Sequence, residues 1–142
     1  MTYSKRLWHY LVIFFLLILL VLNIPFELVI APERKFRVID SNSNPISDAV
    51  VRQIWHQYSL GIRGQIDLRS NLKGEVFLQR RAVRTSLITL IWGGIKEYKE
   101  LGIHASVGSW ESIGIFVNGI KDKWIHDGKG LETGIVVMKK EQ

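Results

Sequence analysis

Among the residues that could do chemistry, His56, His104 and His126 come first, because imidazole titrates near neutral pH and is a common metal ligand. Their spacing provides no local motif such as His-x-x-x-His, so they could meet only through folding. Adjacent His126 and Asp127 would point to opposite faces of a strand, which denies them a ready acid–base couple. The plainer reading of all three is a solvated or hydrogen-bonded surface histidine. Ser59, Ser109 and Ser112 lie in neither a nucleophile elbow nor a Ser-x-x-Lys context. The 142 residues include no cysteine, which excludes disulfides, thiolate nucleophiles, iron–sulfur clusters and cysteine-bound zinc. The sequence thus indicates no catalytic residue, no metal ligand and no cofactor.

Contact chemistry is better represented. Trp55, Tyr58 and Trp124 stand among polar neighbours, in "WHQY" and "KDKWIH", and exposed rings there would stack on a glycan or small ligand. Packing in a core is the plainer role for an aromatic at strand spacing. Arg80, Arg81 and Arg84 are the densest cationic cluster in a chain of formal charge +6. They would meet anionic headgroups or an acidic partner at about 1 kcal/mol per nearby residue, or else form a solvated edge that discourages strand-to-strand aggregation. No nucleic-acid-binding module is present, so no nucleic acid partner is expected.

The elements that must position these residues begin with an apolar block. Leu7 to Phe26 runs twenty residues without a charge. As a helix it would reach about 30 Å, the thickness of bilayer hydrocarbon. The segment 7–26 therefore reads as a transmembrane signal anchor, with 1–6 as a cytoplasmic N-terminus and 27–35 as a juxtamembrane linker. A cleaved signal peptide fits less well, because Pro32 and bulky Phe26, Leu28 and Ile30 surround the candidate site at Ala31. Charge leaves the orientation nearly tied, with Lys5 and Arg6 on one side and Arg34, Lys35 and Arg37 on the other.

Residues 36–142 read as strands. "KFRVID", "GQIDLRS" and "GEVFLQR" alternate apolar with polar positions. "TSLITLIW", Thr85 to Trp92, is apolar on both faces, as a central strand would be. "SIGIFV", "NG" and "IKDKWIH" predict a hairpin with Asn118 and Gly119 in a type I′ turn. "LETGIVVMKK" would be a last strand. The helical hint, "IKEYKELG", amounts to one or two turns ending at Gly102. The expected fold class is all-β, an antiparallel β-sandwich behind one N-terminal transmembrane α-helix, with an open barrel as the nearest competitor.

"FRVIDSNSNPISDAVV", followed by "RSNLKGEVFL", resembles the carboxypeptidase-regulatory-like, or transthyretin-like, β-sandwich family over about Phe36 to Trp92. The residues carrying the resemblance are Asp40, Pro45, Ile46, Ala49, Val51 and Gly74, with Phe77 beyond. Asn44 stands where the family has a turn glycine, and Ser70-Asn71 where it has Thr-Asp; both can serve turn chemistry. The resemblance implies a fold and an exported setting, and its motif residues are structural.

The expectation drawn from all this is a membrane-tethered, extracytoplasmic β-sandwich in the bacterial periplasm or at the cell surface. It would be held to the bilayer through residues 7–26 and act as a non-catalytic interaction or scaffolding module for another membrane or envelope protein. Glycan or small-ligand binding through Trp55, Tyr58 or Trp124 is the alternative, and a His-dependent enzyme a more distant one.

Overall fold

The computed structural model describes residues 2–131 and 134–139. Helix α1 (Thr2–Leu22) is followed by strands β1 (Phe26–Ala31), β2 (Arg34–Ile39) and β3 (Val50–Gln57). After a 3-10 turn at Tyr58–Leu60 come β4 (Ile62–Arg69), β5 (Glu75–Leu78), β6 (Arg81–Thr85) and α2 (Leu87–Leu101). A second 3-10 turn, Gly102–His104, leads to β7 (Ser109–Val117), β8 (Ile120–His126) and β9 (Ile135–Val137).

Among the described residues the strands form three sheets, in the orders β1-β6, β5-β2-β9 and β4-β3-β7-β8. Alternation decides which side chains meet. Phe36 and Val38 of β2, Val76 and Leu78 of β5, and Val136 of β9 turn inwards from one sheet. Val51 of β3, Ile113 and Ile115 of β7, and Ile125 of β8 meet them from the other. Each such burial contributes roughly 1.5–3 kcal/mol. The small sheet prolongs the same ribbon: Ala31 faces Arg81 just as Arg34 faces Leu78, with Pro32 and Glu33 interrupting the ladder.

The crossing from β2 to β3 is fixed by side chain to backbone bonds. Asp40 Oδ1 accepts from the N–H groups of Asn42 and Asn44, both at 2.8 Å. Pro45 then bridges Ile39, and the Ile46 N–H donates to the Val38 carbonyl. The left-handed residues are Ser43 and Asp48, so Asn44 is not where the turn reverses. Ser70 ties the next loop in: its hydroxyl donates to the Ile46 carbonyl at 2.7 Å and accepts from the Ala49 N–H at 2.9 Å. Gly74 has φ +72°, and a Cβ there would lie 2.4 Å from the Val38 carbonyl oxygen. Only glycine fits.

Several expectations are corrected. The fold is mixed α/β in three sheets, 29% helix and 43% strand, rather than an all-β sandwich. It is not wholly antiparallel, because β9 runs parallel to β2 with Arg37 opposite Ile135. Leu87 to Trp92 belongs to a 15-residue helix and not to a central strand. Ser86 caps it by accepting from the Thr89 N–H, and Leu87, Ile91 and Ile95 then recur at helical spacing. The β7–β8 hairpin forms, but Asn118 is not left-handed; Gly119 alone has positive φ there, and the register slips between Ile115 and Val117.

The uncharged run from Leu7 to Phe26 is also not one helix. Asn23 closes the last turn of α1 with its side-chain Nδ2 on the Leu19 carbonyl at 2.9 Å, and after Pro25 the chain enters β1 at Phe26. The uncharged part of α1, Leu7–Leu22, is 16 residues long, about 24 Å against ~30 Å of hydrocarbon. Among the described residues no helix is long and apolar enough to cross a membrane. The transmembrane signal anchor, and the single-pass extracytoplasmic placement built on it, are overturned by that finding.

Candidate interaction surface

Helix α2 lies against the 3-10 turn that follows β3. A Cβ on Gly93 would lie 1.6 Å from the Ser59 carbonyl oxygen, so the missing side chain lets the helix backbone rest on the 3-10 turn after β3. Most apolar side chains of α2 are left outside, with Ile88 and Leu90 half-buried. No residue of α2 is buried; Leu87, Ile91, Ile95, Tyr98 and Leu101 are exposed, and Trp92 is 70% exposed. Ile103 and Val107 continue this surface beyond the helix. Helix α1, which touches α2, exposes apolar side chains from Leu7 through Val21 and shows no polar face. Apolar surface of this extent marks a contact site, and a helix apolar on every side has to be surrounded.

The six residues expected to contact a partner do not form one patch, although Arg80, Arg81, Arg84 and Trp55 are neighbours around β6. Trp55 faces the sheet interior, its indole lying over Gly64 with the Arg81 guanidinium 5.1 Å from the ring centroid. Arg80 is held by Glu27 in a two-toothed ion pair of 2.6 and 2.8 Å. Arg84 is exposed on β6, in register with the same Glu27. Tyr58 lies against His56, with ring centroids 4.2 Å apart. Trp124 stands 46% exposed on the outer face of the four-stranded sheet, edge-on to Phe116 above Gly114. The structural set Asp40, Pro45, Ile46, Ala49, Val51 and Gly74 is gathered at the β2–β3 crossing and beneath it.

The histidines are divided too. His126 Nδ1 lies 3.2 Å from the Ser112 hydroxyl and its ring stacks near Trp110, whereas His104 is exposed in the second 3-10 turn. Ser112 is buried beneath this face, which denies a substrate access to its oxygen. Among the described residues no three His, Asp or Glu side chains come together as metal ligands.

Two features had a weak signal in the sequence or none. Helix α2 was signalled by Ser86 and the Leu87–Ile91–Ile95 spacing. The buried Glu111, by contrast, is paired across long separations. Its two oxygens take Gln53 Nε2 at 2.8 Å and Arg34 Nε at 2.9 Å, and Gly128 makes room for that guanidinium. Exposed carboxylates behave more simply. Arg80 holds Glu27, and Arg52 holds Asp67, below the usual carboxylate range by hydrogen bonding and charge; Asn71, then Arg37, does the same for Glu75.

No family model matches the chain, and no curated protein matches it. A crystal structure of 3-chlorocatechol 1,2-dioxygenase from Rhodococcus opacus 1CP is similar at 11% identity and a TM-score of 0.44, covering 84% of this chain. The chain spans about three fifths, 61%, of that protein. At that score the likeness decides neither fold nor chemistry, and it is not a likeness to a carboxypeptidase-regulatory-like or transthyretin-like domain.

Proposed function

We propose that the chain is a non-catalytic interaction subunit whose packed sheets hold α1 and α2 as an apolar helical surface for a partner protein. The observation that carries this reading is the exposure of apolar side chains along both helices, beside a core that needs neither of them. The partner would offer apolar helices of its own, because an all-apolar helix is stabilised only when its whole circumference is covered.

Photo-crosslinking residues at Phe15, Ile18 and Trp92 test it. All three are expected to give the same adduct, and a control at Leu72, exposed in the β4–β5 turn, is expected to give none. Equal adducts at Leu72, or insertion of α1 into protein-free lipid vesicles, would overturn the reading.

A second reading is favoured by Trp124, whose exposed ring on the outer sheet face is placed to stack on a sugar. Retention on a polysaccharide column should then be lost in Trp124→Ala and kept in Trp55→Ala, since Trp55 is turned inwards. Unchanged retention in both variants would remove it.

A further inference from the structure

The four-stranded sheet ends on β4, and among the described residues no strand lies on its far side. An open row of N–H and C=O groups is a template for another strand, and folded chains blunt such rims with lysine, proline, bulges or shortness. The other rims of this molecule are blunted in these ways. β5 and β9 are four and three residues long. The β1–β6 and β7–β8 ladders each contain a register shift, and β8 carries Lys121 and Lys123. β4 has eight residues without proline or lysine, and all of them pair with β3 in unbroken register.

The backbone groups on the open rim follow from the end of that ladder. The Ser70 N–H donates to the Ala49 carbonyl at 3.0 Å, so every second residue before it, Leu68, Ile66, Gly64 and Ile62, is bonded to β3. The N–H and C=O of Arg63, Gln65 and Asp67 point the other way. About a twofold axis through Gln65 this strand is complementary to itself. Arg63 of each copy then stands opposite Asp67 of the other, Ile62 opposite Leu68, and Gly64 opposite Ile66. Opposite charges meet on the exposed face, and half-buried apolar side chains cover one another on the inner face. Asp67 already accepts from Arg52 at 2.8 and 2.7 Å, but a carboxylate has about four acceptor positions and can take Arg63 as well. The register is selective: with the axis at Ile66, Arg63 would face Arg69 and Asp67 would face Gln65. We infer that β4 pairs antiparallel with β4 of a second copy of this chain, about an axis at Gln65, joining two four-stranded sheets into one. A self-complementary strand makes such an interface isologous, so it closes at the dimer.

The chain has no cysteine, so single cysteines report the register. In the full chain, Gln65→Cys is expected to give a disulfide-linked dimer on mild oxidation, because its Cα would lie about 5.5 Å from its counterpart, within disulfide reach. Arg63→Cys alone, roughly 14 Å from its own counterpart, is expected to stay unlinked, as is Leu72→Cys in the exposed β4–β5 turn. Arg63→Cys mixed with Asp67→Cys should give the mixed dimer. Adding Arg63→Glu to Gln65→Cys sets like charges across both ends of the pairing and should lower the yield about tenfold. These side chains are exposed, so the β3 ladder should survive the changes. Equal linking at positions 63, 65 and 72 would place self-association elsewhere, as on the apolar helices, and overturn the inference. So would the absence of a Gln65→Cys dimer, its linking to a chain of different mass, or an undiminished yield with Arg63→Glu.

Discussion

The two ends of this molecule treat apolar side chains in opposite ways. Between the large sheets, Phe36, Leu78, Ile113 and Val136 are sealed from water, and the loops over them are pinned by Asp40, Ser70 and Gly74. In α1 and α2, side chains of the same types face outwards. The difference teaches that hydrophobicity alone does not locate the core. Cross-strand register does, because it brings two apolar faces together where a solitary helix has only one to offer.

That contrast can be broken most strongly from the core side. Phe36→Ala should lower unfolding free energy by about 3–5 kcal/mol in denaturant titrations. Trp92→Ala, removing as large a ring from α2, should change it by less than about 0.5 kcal/mol while abolishing the Trp92-dependent partner contact. A large loss in the second variant would show that α2 is part of the folding unit. Next in size is Glu111→Ala, which strands Arg34 and Gln53 and should cost about 3 kcal/mol, discounted because Arg34 is partly exposed. Gly93→Ala forces α2 off the Ser59 backbone and should cost about 1–3 kcal/mol, read as increased protease cutting near residues 58–60 and 93. Loss of global stability with no local cutting would contradict attachment of α2 through the Ser59 turn.

The smallest effect is electrostatic. Glu27, Asp67 and Glu75 have lowered folded-state pKa values, so their contribution is present above the unfolded value of about 4. It is lost as pH falls through the folded values. These carboxylates are solvent-facing, and the resulting decline in thermal midpoint below about pH 4 should shrink further in high salt. An increase in midpoint on acidification would contradict the assigned pairs.

The sequence made several strands legible because period-2 alternation is local: β2, β4, β5 and the β7–β8 hairpin lie where their patterns put them. It was ambiguous at Leu87–Trp92, where an apolar block suits a buried strand and a helix face equally, and the Ser86 cap was the deciding signal. The parallel β2–β9 pairing and the Arg34–Glu111–Gln53 cluster had no local signature, since their partners are distant in sequence. The candidate surface is half legible: its apolar residues are plain, but the uncharged run reads as one continuous helix where Pro25 and β1 divide it.

The β2–β9 pairing also sets a timetable. β2 acquires its β9 neighbour only when a segment made roughly a hundred residues later arrives, on the order of 5–20 s of translation. Until then, one rim of the middle sheet is open in the nascent polypeptide, beside a ribosome-bound chain that already displays oily helices. Chaperone attendance during synthesis is therefore expected to centre on that interval.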